Sequence, residues 1–77
     1  MNKSAHERLL KLGWEVIDNH RIRKTYSKFD DKYLKRTMII DIVKRKYGWC
    51  FTTNYATSID KELLKILAQY LEELENE

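Results

Sequence analysis

Thr37-Met38-Ile39-Ile40-Asp41-Ile42-Val43, then Lys44-Arg45-Lys46, then Tyr47-Gly48-Trp49-Cys50-Phe51-Thr52-Thr53-Asn54-Tyr55: this stretch decides the fold. Met38, Ile40 and Ile42 recur at every second position, the period of a strand, while Ile39, Asp41 and Val43 fall on the other face. β-branched residues on both faces predict a central strand, partly covered on each side. The three bases predict a hairpin tip. In the returning strand, Trp49, Phe51, Thr53 and Tyr55 alternate with Gly48, Cys50, Thr52 and Asn54. The chain has no proline to interrupt a hydrogen-bonded ladder.

Working outward, Trp14 to Ile17 predicts a short strand, and Asp18-Asn19 a tight turn, because both residues tolerate positive φ. Ile22 to Tyr26 resumes a strand, with Ile22 and Tyr26 on one face and Arg23 and Thr25 on the other; Asp30-Asp31-Lys32 is a loop. Ser4 and Glu7 have capping-box spacing before Leu9, Leu10 and Leu12, and Gly13 can take the left-handed conformation that ends a helix. So short a helix cannot stand alone in water and must dock. At the other end Leu63, Leu67, Tyr70, Leu71 and Leu74 recur at spacings of three and four, with Asp60 or Ser58 as cap and Ile59 against Leu64 as a hydrophobic staple. Glu72, Glu73, Glu75 and Glu77 sit at the negative end of the helix dipole, so residues 73–77 are expected to fray as an acidic tail. The expected class is α+β: a short N-terminal helix, an antiparallel three- to four-stranded meander, and a long C-terminal amphipathic helix packed on one face, with residues 1–77 as one domain.

Seventy-seven residues, 43% hydrophobic and 35% charged, close a small core with little apolar material left for a broad cofactor pocket. Cys50 is the only cysteine, so no intrachain disulfide forms and a reducing compartment fits best. The N-terminus opens polar and no apolar run is long enough for a membrane span, which predicts a soluble, cytoplasmic protein with no membrane partner. The net charge of +3 conceals a division. Residues 20–46 carry +7, residues 47–59 carry no charge, and residues 60–77 carry −4.

Chemistry-bearing constellations are sparse. His6 and His20 lie outside any local signature around Cys50, and two histidines with one cysteine match no compact zinc spacing. Asp30-Asp31 lacks the glycine and terminal glutamate of a calcium loop, and Gly13 and Gly48 are too far apart to form a phosphate-cradling loop. The chain is therefore read as a non-enzyme without cofactor or metal. What stands out is the interleaving of the basic segment with Tyr26, Phe29, Tyr33, Tyr47 and Trp49. Cations neutralise phosphates and aromatic faces stack on unpaired bases, but lysine and arginine also guard sheets against aggregation, and aromatics fill cores. The acidic helix could also lie against the same sheet and neutralise it internally. Leftover apolar helix surface at Ile66, Tyr70 and Leu74 could bind a second copy or a host protein.

Arg45-Lys46-Tyr47-Gly48-Trp49-Cys50 partly resembles the RNP1 strand of RNA-recognition motifs, with Lys46 in place of its glycine and Thr52 in place of its last aromatic. More of the chain resembles small accessory proteins encoded by phages and prophages of Gram-positive bacteria. That resemblance rests on Ser4-Ala5-His6-Glu7-Arg8-Leu9, Leu12-Gly13-Trp14-Glu15, Thr25-Tyr26-Ser27-Lys28, Ile39-Ile40-Asp41 and Ile59-Asp60-Lys61-Glu62-Leu63-Leu64. It implies an α+β protein of the host cytoplasm, carries over no catalytic residues, and departs from the pattern in the long basic run from Lys32 to Arg36. The expected role is binding of a host or phage protein or a homo-oligomeric partner, with nucleic acid as the alternative. Arg23, Lys24, Lys35, Arg36, Lys44, Arg45 and Lys46 are the expected contact residues, with Tyr47 and Trp49 as anchors.

Overall fold

A computed structural model describes residues 3–32 and 35–77; Tyr33, one of the aromatics noted above, lies outside the described residues. The elements run α1 (Ala5–Lys11), β1 (Glu15–Asn19), β2 (Arg23–Asp30), β3 (Arg36–Arg45), β4 (Gly48–Thr53) and α2 (Lys61–Glu75). The class is α+β, with four antiparallel strands in the order β1-β2-β3-β4. Strand β3 is central and its Met38, Ile40 and Ile42 share one face, as the alternation predicts. That face is the covered one. Tyr26, Ile40 and Ile42 lie in one buried cluster with Ala5 and Leu9 of α1 and Leu63, Ile66, Leu67, Tyr70 and Leu74 of α2. The expectation of cover on both sides is not met, because both helices occupy the same side.

Strand ends shift from their predicted places. β1 continues through Asp18 and Asn19, with a bulge between Val16 and Asp18, and the turn falls on residues 20–22. Bonds from inside and outside the hairpin hold it there: Lys24 Nζ donates to Asn19 Oδ1 (2.9 Å) and the His20 carbonyl (3.0 Å), and Lys44 N–H donates to the Ile22 carbonyl (2.9 Å). Ile22 is thereby exposed outside the strand. The β3–β4 turn is Lys46-Tyr47, and Gly48 follows with φ +125°, a conformation that L side chains rarely adopt. Beyond Thr53 one backbone bond remains, from Asn54 N–H to the Ile39 carbonyl (3.2 Å), and side chains then take over from the ladder. Asn54 Oδ1 (3.2 Å) and Thr57 Oγ1 (3.1 Å) accept from Ile39 N–H, while Asn54 Nδ2 donates to the Thr37 carbonyl (2.8 Å).

Helix α1 is fixed at both ends. Ser4 Oγ accepts from Glu7 N–H (3.2 Å), and the Glu7 carboxylate accepts from the Ser4 hydroxyl (3.3 Å) instead of from a backbone amide. At its end, Trp14 N–H donates to the Leu9 carbonyl (3.1 Å) and Gly13 N–H to the Leu10 carbonyl (3.0 Å), with Gly13 at φ +97°. This is a Schellman motif, and its two flanking residues, Leu9 and Trp14, are both buried in the core. Lys28 Nζ adds a bond to the Leu12 carbonyl (2.6 Å). The acidic end of α2, expected to fray, is helical through Glu75, and Glu73 has a task. Its two carboxylate oxygens accept from Ala5 N–H (3.2 and 3.3 Å), placing a negative charge on an orphan donor at the positive end of α1. Asp60 is the cap of α2, accepting from Leu63 N–H (2.8 Å).

Inside the core one polar chain links three elements. The Tyr26 hydroxyl lies 2.6 Å from His6 Nδ1 and 2.7 Å from the Tyr70 hydroxyl. With one proton, the central hydroxyl donates to one neighbour and accepts from the other, so the direction of the whole chain is set together. Burial, reinforced by the bond to Tyr70 and its charge, pushes the Tyr26 phenol far above the ordinary tyrosine value. Burial also raises Tyr70, helped by the charges of Glu73 and Glu77 and opposed by the bond from Tyr26.

Candidate functional site

Antiparallel register assigns the uncovered face. Thr25 pairs with Asp41 and Asp41 with Thr52; Arg23 pairs with Val43 and Val43 with Cys50. These residues, together with Ser27, Phe29, Ile39 and Arg45, alternate with the core positions and so face away from the helices. At the centre, the Asp41 carboxylate accepts from Thr25 Oγ1 (2.9 Å) and lies 3.4 Å from Arg23 Nε. Around it are small or aliphatic side chains, Ile39, Val43, Cys50 and Thr52. Val43 is only 7% exposed although no helix covers it, because it floors a groove at one end of the sheet.

That groove gathers His20 and Arg21 from the β1–β2 turn, Arg23 from β2, and Lys44 and Arg45 from β3, with Ile22 beside Val43. The bond from Lys44 N–H to the Ile22 carbonyl brings the turn against β3 and so brings the cations together. Asp18 is the one acid in the lining and is paired with His20 at 2.8 Å. Guanidinium forks beside an aliphatic floor suit a carboxylate or phosphate attached to something apolar.

The expected contact residues do not form one patch. Arg23, Lys24, Lys44, Arg45, Lys46 and Tyr47 lie at the groove end of the sheet, whereas Arg36 opens β3, with Lys35 just before it, nine residues or about 30 Å along the strand from Arg45. Lys24 is engaged by the turn, and Arg36 stacks over Tyr55 with its carbon Cζ 5.5 Å from the ring centroid. Lys35 holds the unusual φ of +50°. Tyr47 is 93% exposed at the hairpin tip, with Lys46 Nζ 5.7 Å from its ring centroid, and suits the role of anchor. Trp49 shares the face of Ile42 and Phe51 and packs against the core, so its ring belongs to the covered side. Ile66, Tyr70 and Leu74 are likewise buried, and the apolar helix surface left outside is Leu64 with its neighbours. His20, Arg21, Asp41 and Val43 are not among the contact residues expected from the sequence; the register of β2 on β3 sets Asp41 and Val43 beside Arg23, and the bond from Lys44 to Ile22 brings His20 and Arg21 to the same end.

Other chemistry is dispersed. Cys50, on the bare face, donates its S–H to the Val43 carbonyl (3.7 Å), whereas His6 is engaged with Tyr26 on the covered face. Among the described residues no cluster of three or more His, Cys, Asp or Glu could hold a metal ion, and no helix is long and apolar enough to cross a membrane. No protein-family model, no curated protein and no solved structure matches this chain.

Proposed function

We propose that this chain is a non-enzymatic accessory protein, of the phage or prophage type it resembles, that binds an acidic protein partner on its uncovered sheet face. The supporting observation is the placement of both helices on one side, which leaves Ile39 and Cys50 half-buried on an uncovered face, next to the groove that Val43 floors and the arginines line. Complementary charge then steers the encounter and the apolar centre supplies burial. An acidic peptide such as polyglutamate, titrated at low salt, should move the amide resonances of Arg21, Val43 and Arg45. The double variant Arg21→Glu/Arg45→Glu should abolish the response, while Lys35→Glu/Arg36→Glu at the far end should leave it intact. Equal loss in both variants would reject the groove as the site.

Nucleic-acid binding is the second reading, favoured by the convergence of Arg21, Arg23, Lys44 and Arg45 in the groove, with Lys46 and the exposed Tyr47 in the adjoining hairpin turn. Against it, the middle of the bare face has no aromatic platform; Phe29, the ring with the right alternation, stands at the opposite end from the arginines of the groove. Single-stranded and duplex oligonucleotides of matched charge decide between the two. Tighter binding of either oligonucleotide than of polyglutamate, with a steep loss on adding salt, would select nucleic acid.

A further inference from the structure

The two edges of the sheet are built differently. β1 is short, bulged between Val16 and Asp18, and carries Glu15 and Asp18, all of which discourage another strand from pairing. β4 lacks the bulge and the charges: its register against β3 is regular from Gly48 to Thr53, and no residue in it is charged. The bond from Asn54 N–H to the Ile39 carbonyl fixes the phase of the ladder. Gly48, Cys50 and Thr52 turn their backbone groups inward, and Trp49, Phe51 and Thr53 turn theirs outward.

An apolar strip runs beside that open rim. Gln69 and Glu73 face α1, whereas Glu75 lies on the other flank of α2, its Oε1 3.3 Å from where a Cβ on Gly48 would stand. Counting back from Glu75 by four, three and four residues gives Leu71, Ala68 and Leu64, the same flank of the helix. Leu64 is 52% exposed, Ala68 is exposed, and Leu71 is partly buried against the same core as Phe51 and Trp49.

We propose that a second copy of this chain docks here, β4 against β4 and α2 against α2, around a two-fold axis. The rim is complementary to itself. Antiparallel pairing centred on Phe51 sets Trp49 opposite Thr53 of the other copy and satisfies all three outward-facing residues on each strand without opposing like charges. α2, about 22 Å long, runs back along β4, about 20 Å long, so Ala68 and Phe51 sit near the same level and one axis serves both. Antiparallel α2 helices bring Lys61 and Lys65 of one copy toward Glu72 and Glu75 of the other, with Leu64, Ala68 and Leu71 between them. A foreign strand could take the backbone bonds but would lack this match of charge. The dimer would join two bare faces into one eight-stranded surface, and it stands whether or not that surface binds an acidic protein.

Sedimentation equilibrium of the full chain should give twice the chain mass. Ala68→Glu places two carboxylates together at the axis on an exposed position, and should return the monomer with unchanged far-ultraviolet circular dichroism. Thr52→Cys tests the register separately. Cys50 faces Thr52 of the other copy in a non-hydrogen-bonded pair, where Cα atoms are about 4.5 Å apart and a disulfide can close. Oxidised Thr52→Cys should therefore run as a covalent dimer on a non-reducing gel, while the native chain does not. A native chain that stays monomeric, an Ala68→Glu variant that stays dimeric, or a Thr52→Cys variant that does not cross-link would each overturn the proposal.

Discussion

The two faces of the sheet treat a central polar group in opposite ways. On the covered face, Tyr26 is buried and its hydroxyl is held between His6 and Tyr70, contributed by both helices. On the bare face, Asp41 has Thr25 and Arg23 from the neighbouring strand and remains within reach of water. The first arrangement ties three elements into one packed unit, and its loss would be felt throughout the core. The second lies within the sheet alone. Stability therefore resides on one side of the molecule, and the other side is free to change its contacts.

Substitutions can test how sharp that division is. Leu67→Ala, at a fully buried position, should cost about 2–5 kcal/mol in urea denaturation, a large part of what a chain this small can hold. Thr52→Ala on the bare face should stay within about 0.5 kcal/mol, and comparable losses at the two sites would erase the contrast. Tyr26→Phe leaves His6 Nδ1 and the Tyr70 hydroxyl without their shared partner and should cost about 1–3 kcal/mol. Adding Tyr70→Phe should cost less than the sum of the single variants, because the second hydroxyl has already lost its bond.

The same pair predicts an alkaline limit. Both phenols are raised in the folded protein above the ordinary value of 10.0, so the unfolded chain ionises first and binds fewer protons above that pH. Their contribution is complete below pH 10 and is lost as the pH climbs beyond it. Thermal melts across that range should show a falling midpoint, and Tyr26→Phe/Tyr70→Phe should flatten the decline. The smallest effect belongs to the bare face. Asp41→Asn keeps a group that can accept from Thr25 and breaks only a half-exposed ion pair, so its cost should be below about 1 kcal/mol by the same urea titration.

Much of the covered face was legible in the sequence, because alternation at Met38, Ile40 and Ile42 and the three-four spacing of α2 are local properties. Gly13 was legible for the same reason: a helix end is written in a few consecutive residues. The turn after β1 was misplaced because Lys24 and Lys44, not local turn preference, decide where the strand stops. The task of Glu73 could not be read at all, since its partner Ala5 lies 68 residues away. The basic segment was continuous on paper, yet a ten-residue strand runs through it and carries Arg36 and Arg45 to opposite ends. Trp49 illustrates the remaining difficulty. Its alternation was visible, but the covered face became known only once both helices were seen to choose the same side.

The contact between Glu73 and Ala5 also orders events in time. Each strand pairs with its neighbour in sequence, so the meander closes through short loops and can assemble while the chain is still emerging from the ribosome. The seven-residue α1 is too short to persist alone, and its anchors at Gln69 and Glu73 follow their partners by 61 and 68 residues. The helix that precedes the sheet is therefore secured after it, waiting for α2 to complete the core beneath it.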